Sequence, residues 1–90
     1  MKNLAATYGP WAVVTGSSSG IGREFARRLA ADGVNVVLAA RRIERLEVLA
    51  AELERNHGVE VRRVQADLSA REGVDAIDKA VADIDVAIVV

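Results

Sequence analysis

Apolar residues fall along this chain in two alternating rhythms. Trp11-Ala12-Val13-Val14, Val34 to Ala40 and Val86 to Val90 are nearly unbroken apolar runs of strand length. Such runs predict strands covered on both faces, as in a parallel sheet between helices. Between them, apolar positions recur at steps of three and four, the period of an amphipathic helix. The first such stretch covers Gly20 to Asp32, with Ile21, Phe25, Ala26, Leu29 and Ala30 as its buried stripe and Arg23, Glu24, Arg27 and Arg28 as its wet face. Gly33 stops it. The second runs from Ile43 to His57 on Ile43, Leu46, Leu49, Ala50 and Leu53, and its Glu44, Arg45, Glu47, Glu52, Glu54 and Arg55 predict a solvated charged face.

The third strand-like run, Val59 to Ala66, is interrupted by Glu60, Arg62 and Arg63, which predicts a sheet edge. Ser69-Ala70-Arg71-Glu72 has the spacing of a capping box and predicts the start of a third helix on Val74, Ile77, Val81 and Ile84. Gly73 weakens the first turn of that helix by about 1 kcal/mol relative to Ala. The order is then β-α-β-α-β-α-β. Right-handed crossovers turn it into an α/β fold, a partial doubly wound parallel sheet of Rossmann type with strand order 3-2-1-4. Strand one is central, and a ligand crevice opens at the carboxyl ends of strands one and four.

Composition narrows the classes. A chain of 90 residues with 51% hydrophobic residues predicts one globular domain, 1–90. Lys plus Arg number 12 against 13 Asp plus Glu, so the basic excess of a nucleic-acid module is missing. With no cysteine there is no disulfide, thiolate nucleophile or cysteine metal site. The lone His57 sits at a helix end, where the dipole favours it, and no metal site is expected. The opening residues are too short an apolar stretch for a signal peptide, and no run has the length of a membrane span. A cytoplasmic protein without membrane contact is the expectation.

The candidate chemistry sits in Thr15-Gly16-Ser17-Ser18-Ser19-Gly20-Ile21-Gly22, between the first strand and the first helix. A helix N-terminus offers unpaired N–H groups and about half a positive charge, and glycines let a phosphate approach the main chain. A Walker A loop is excluded, because Gly22 is followed by Arg23 rather than by Lys and Ser or Thr.

Thr15-Gly16-x-x-x-Gly20-Ile21-Gly22 after a valine-rich strand resembles the short-chain dehydrogenase/reductase family. The resemblance implies a turn that closes over the pyrophosphate of NAD or NADP. Gly16, Ser18, Ser19, Gly20, Ile21 and Gly22 are its candidate contacts, and which serine hydroxyl reaches the cofactor is left open. NAD binders place an acid at the end of strand two. Here Leu38-Ala39-Ala40 is followed by Arg41-Arg42, with no carboxylate before Glu44. Arg41 matches the arginine that in related reductases holds the ribose 2′-phosphate, so NADP is expected over NAD. Arg42 is open between sharing that phosphate, stacking on adenine and facing solvent. Asp67-Leu68 resembles the family pair in which the acid accepts from the adenine amino group and the next amide meets the ring; a plain helix N-terminal carboxylate is the alternative.

Tyr8 to Gly16 and Val34 to Leu38 look like the hydroxysteroid and ketoacyl-CoA reductase branch, although Ser17-Ser18-Ser19 departs from that branch's usual residues. After strand four the family carries Asn-Asn-Ala-Gly, a catalytic Ser and Tyr-x-x-x-Lys. None is present, and the only tyrosine, Tyr8, lies ahead of the first strand. The expectation is the NADP(H)-binding half of an oxidoreductase, truncated after strand four, with no catalytic residue of its own. The alternative is a stand-alone nucleotide-binding or interaction module. An apolar last strand with no further neighbour predicts self-association through residues 86–90.

Overall fold

The structure, a computed structural model, describes residues 11–16, 20–67, 69–84 and 86–89. Residues 1–10 with Tyr8, the three serines 17–19, Leu68, Asp85 and Val90 lie outside the described residues. The elements are β1 (Trp11–Thr15), α1 (Gly20–Ala31), β2 (Asn35–Ala40), α2 (Ile43–His57), β3 (Val61–Gln65), α3 (Arg71–Ala80) and β4 (Val86–Val89). The sheet runs β3-β2-β1-β4, and every neighbouring pair is parallel.

Strand alternation sorts the core into two layers. Ala12 and Val14 of β1 and Val36, Leu38 and Ala40 of β2 meet α1 and α2 on one face. Trp11, Val13, Val37 and Ala39 point to the other face, where Ala76, Ile77 and Ala80 of α3 cover them. Both central strands are therefore buried on both sides, which is why their sequences are apolar throughout. The chain changes face between α2 and α3, as it crosses from β3 to the far side of β1. A crevice belongs at such a reversal.

The helices differ from the expected patterns in informative ways. In α1, Ala26, Leu29 and Ala30 are buried, but Ile21 is 84% exposed and Phe25 39%. These two lie one position ahead of Gly22 and Ala26, on the flank of α1 opposite Arg23 and Arg27, which face α2. The third helix starts at Arg71 rather than Ser69, and its N-cap Ala70 makes no side-chain cap. The capping box fails because the Ser69 hydroxyl donates to Asp67 Oδ1 at 2.6 Å. Val74 is 46% exposed, whereas Ile77, Val81 and Ile84 pack against the core as expected, joined by Gly73, Ala76 and Ala80.

The charged face of α2 is only partly solvated. Arg27 of α1 donates to both oxygens of Glu52, at 2.7 and 3.0 Å, and ties the two helices together. On edge strand β3, alternation sends the two arginines to opposite faces. Arg63 reaches Glu47 and Glu54 of α2, while Arg62 grips Asp83 and the Ala80 carbonyl and lies 5.0 Å from the Trp11 ring centre. The polar residues of β3 thus hold the edge strand to both helix layers.

Candidate functional site

The strand register decides which residues share the carboxyl end of the sheet. Thr15 pairs with Ala39, and Ala39 with Val64. The chain reaches Gly16 one residue beyond that row, Arg41 two beyond it and Asp67 three beyond it. Adjacent strands are about 4.8 Å apart, so this row spans about 10 Å. Two contacts fix its outer part. The Ala66 amide donates to the Ala40 carbonyl at 3.0 Å, and the Gln65 side-chain amide donates to the Arg41 carbonyl at 3.1 Å. The role of Gln65 was not visible in sequence, because an isolated Gln at a strand end has no pattern that announces its partner.

The turn after β1 is built on three glycines with two different roles. Gly16 and Gly20 take left-handed φ values of 63° and 58°, which side chains disfavour. Among the described residues, a Cβ at either position would have no atom within 4 Å, so both main chains border open space. Gly22 is the reverse case. A Cβ there would stand 2.6 Å from the Gly16 carbonyl oxygen and 3.2 Å from that of Thr15. The first turn of α1 is pressed onto the end of β1, which aims its unpaired N–H groups along the turn. No acidic residue stands in that first turn, whereas α2 carries Glu44 and α3 carries Glu72 there. The positive end of the α1 dipole is uncompensated, as an anion site requires. Ile21, in this turn, leaves its side chain exposed rather than packed.

Arg41 and Arg42 both project into solvent, and Arg42 is also the extended N-cap residue of α2. Asp67 is exposed and organised by its own loop. The Ser69 hydroxyl and amide both donate to its Oδ1, at 2.6 and 2.9 Å. These bonds, the hydroxyl first, and the nearby charge of Arg41 hold the Asp67 carboxyl below the usual carboxylate range. Of the sequence candidates, Gly16, Gly20, Ile21, Gly22, Arg41, Arg42 and Asp67 lie at this end of the sheet. Ser18, Ser19 and Leu68 lie outside the described residues.

This arrangement of turn, helix and strand ends matches known proteins over nearly its whole length. The family model for short chain dehydrogenase matches residues 10–88. The chain belongs to the short-chain dehydrogenase family. It is 45% identical over 67 residues to the 7beta-hydroxysteroid dehydrogenase of Collinsella aerofaciens, covering 74% of this chain and 26% of that protein. A solved structure of a 7beta-hydroxysteroid dehydrogenase superposes with a TM-score of 0.94 at 36% identity, over 98% of this chain and 34% of that one. The alcohol dehydrogenase of the archaeon Thermococcus sibiricus, solved with 5-hydroxy-NADP, gives a TM-score of 0.83 at 44% identity, over 88% of this chain and 34% of that one. The chain thus spans about a quarter to a third of these short-chain dehydrogenases, and corresponds to their cofactor-binding region.

Two further features bound the chemistry. Among the described residues no group of three or more His, Asp or Glu could hold a metal, and no helix is long and apolar enough to cross a membrane. A groove of about 430 Å³ lies between α1 and α2, lined by residues such as Arg23, Arg45 and Val48. It shares no residue with the row of Gly16, Arg41 and Asp67.

Proposed function

We propose that this chain is the NADP(H)-binding portion, one domain over residues 1–90, of a short-chain dehydrogenase/reductase that moves hydride between the cofactor and a carbonyl or alcohol substrate. The observation that carries the reading is the register that aligns the Gly16 turn, Arg41 and Asp67 beyond one row of the sheet. The open space at Gly16 and Gly20 and the acid-free start of α1 suit a diphosphate. Ser18 and Ser19 add hydroxyls to the same turn, and the main chain of Gly20, Ile21 and Gly22 adds N–H groups. Arg41, one residue past β2, suits a ribose 2′-phosphate, and Arg42 adjoins it. Asp67 accepts from the adenine amino group, and the Leu68 amide meets the ring. The neighbour solved with 5-hydroxy-NADP supports the phosphorylated cofactor.

When bound, the nicotinamide supplies the hydride. The residues of this chain bind and orient the dinucleotide. None of them is assigned to proton transfer, since no Tyr-x-x-x-Lys occurs in the sequence. Calorimetric titration with NADP and NAD tests the proposal. Binding of NADP at least tenfold tighter than NAD supports the proposal, and no binding of either refutes it.

The outer edge of β4 has no strand partner among the described residues, and Ile21 and Phe25 are exposed on α1. An unpaired apolar edge favours self-association through residues 86–90.

A further inference from the structure

The carboxylate assigned to adenine recognition is exposed, yet its position is set by two residues that the proposed contacts do not use. Ser69 holds Oδ1 twice, through its hydroxyl at 2.6 Å and its amide at 2.9 Å. Oδ2 makes no hydrogen bond among the described residues. Behind the turn, Gly73 is buried as the third residue of α3. A Cβ built on Gly73 would overlap the carbonyl oxygen, the carbonyl carbon and the amide nitrogen of Asp67. The helix therefore rests on the Asp67 main chain more closely than any side chain allows. The Ala70 amide donates to the Asp67 carbonyl at 3.1 Å, and the Gly73 amide to the Ala70 carbonyl at 3.1 Å, closing the turn onto the helix. Because α3 is seated on the core through Ala76, Ile77 and Ala80, the turn inherits a fixed place.

We propose that Ser69 and Gly73 are positioning residues for adenine recognition: Gly73 sets the main chain of Asp67 against α3, and Ser69 locks its carboxylate so that Oδ2 faces the adenine amino group. This rests on the adenine role given to Asp67 above. A glycine in a first helical turn weakens that helix, and the close approach is what it permits here. A carboxylate already held in one rotamer loses less freedom on binding than a mobile one.

The test compares NADP with its hypoxanthine analogue, which carries a carbonyl where adenine carries its amino group. The ratio of the two dissociation constants reads recognition at that atom. General loss of folding lowers both affinities together and leaves the ratio unchanged. One charge-assisted hydrogen bond predicts a ratio of about tenfold or more for the full wild-type chain. Asp67→Ala should bring the ratio close to one. Ser69→Ala and Gly73→Ala should each lower it about threefold or more, and Ser69→Thr, which keeps the hydroxyl, should restore it. If Asp67→Ala leaves the ratio intact, the adenine reading fails and the proposal falls with it. If Asp67→Ala abolishes the ratio while Ser69→Ala leaves it at the wild-type value, the positioning role alone is overturned. Ser69→Ala introduces no overlap, so it decides the question even where Gly73→Ala does not fold.

Discussion

Gly22 packs its bare Cα against the carbonyl of Gly16, at a separation that would leave an added Cβ 2.6 Å from the oxygen. The contact joins the start of α1 to the end of β1 across the turn, so one methyl group reports on both packing and binding. Gly22→Ala must push the helix off the strand. Overpacking of this kind costs about 1–3 kcal/mol. In a domain of this size that lowers Tm by about 4 °C or more. The same shift moves the helix N–H groups, so NADP affinity should fall by more than the loss of folded protein accounts for. Thermal melting and titration of the same sample check this, and unchanged values in both would remove the turn from the site.

The alternation of buried strands and periodic helices was legible because β1 and β2 are covered on both faces and α2 buries one unbroken stripe. Those patterns belong to single elements, and α2 spans Ile43–His57 as its periodicity indicates. The glycine spacing was legible for the same local reason. What was not legible depends on where another element stops. Ile21 and Phe25 continue the apolar period of α1 but lie on its uncovered flank. Ser69 has capping spacing, yet Asp67 two residues earlier captures its hydroxyl. Glu52 reads as surface until Arg27, 25 positions away, is folded against it. Gly73 reads as a weak point in a helix until the Asp67 main chain beneath it is known.

Arg41 and Arg42 are adjacent and exposed, but only the first follows β2 directly. Arg41→Ala should weaken NADP binding by about one to two decades, the loss of one charge-assisted phosphate contact. NAD binding should barely change. Arg41→Glu should go further and invert the preference, because a carboxylate repels the 2′-phosphate and suits a ribose hydroxyl. Titration of both cofactors against each variant measures this, and equal losses for NADP and NAD would contradict the role of Arg41.

Acid should loosen the ties between elements in a defined direction. Glu52 is held below the usual carboxylate range mainly by its hydrogen bonds from Arg27, with Arg23 and His57 adding positive charge, and Glu54 by those from Arg63. A folded-state pKa lowered below the unfolded value of about 4.3 stabilises the fold above that pH, and the contribution is lost as pH falls through the lower value. The double variant Glu52→Gln, Glu54→Gln should therefore be less stable than wild type at pH 7, with the gap narrowing as pH falls below the unfolded carboxylate range. High salt should narrow the gap at pH 7, since both pairs are partly exposed. Urea midpoints measured from pH 7 down into acid test the prediction, and a gap that does not narrow with falling pH rules out the ion pairs as its source.

The two edges of the sheet are protected unequally. On β3, Arg62 and Arg63 occupy the outermost strand with charge and bind it to both helix layers, a recognised way of blocking further strand addition. The strand β4, with sequence Val86-Ala87-Ile88-Val89, carries no charge, and its register against β1 is already broken by a shift between Trp11 and Ala12. Association of the chain should therefore proceed through β4 and not β3. Val89→Lys should shift the mass distribution towards monomer in sedimentation velocity at high concentration. Removing the charge on the other edge, with Arg63→Val, should create a second contact and larger species. A wild-type chain that stays monodisperse and monomeric at high concentration would overturn this reading of the β4 edge.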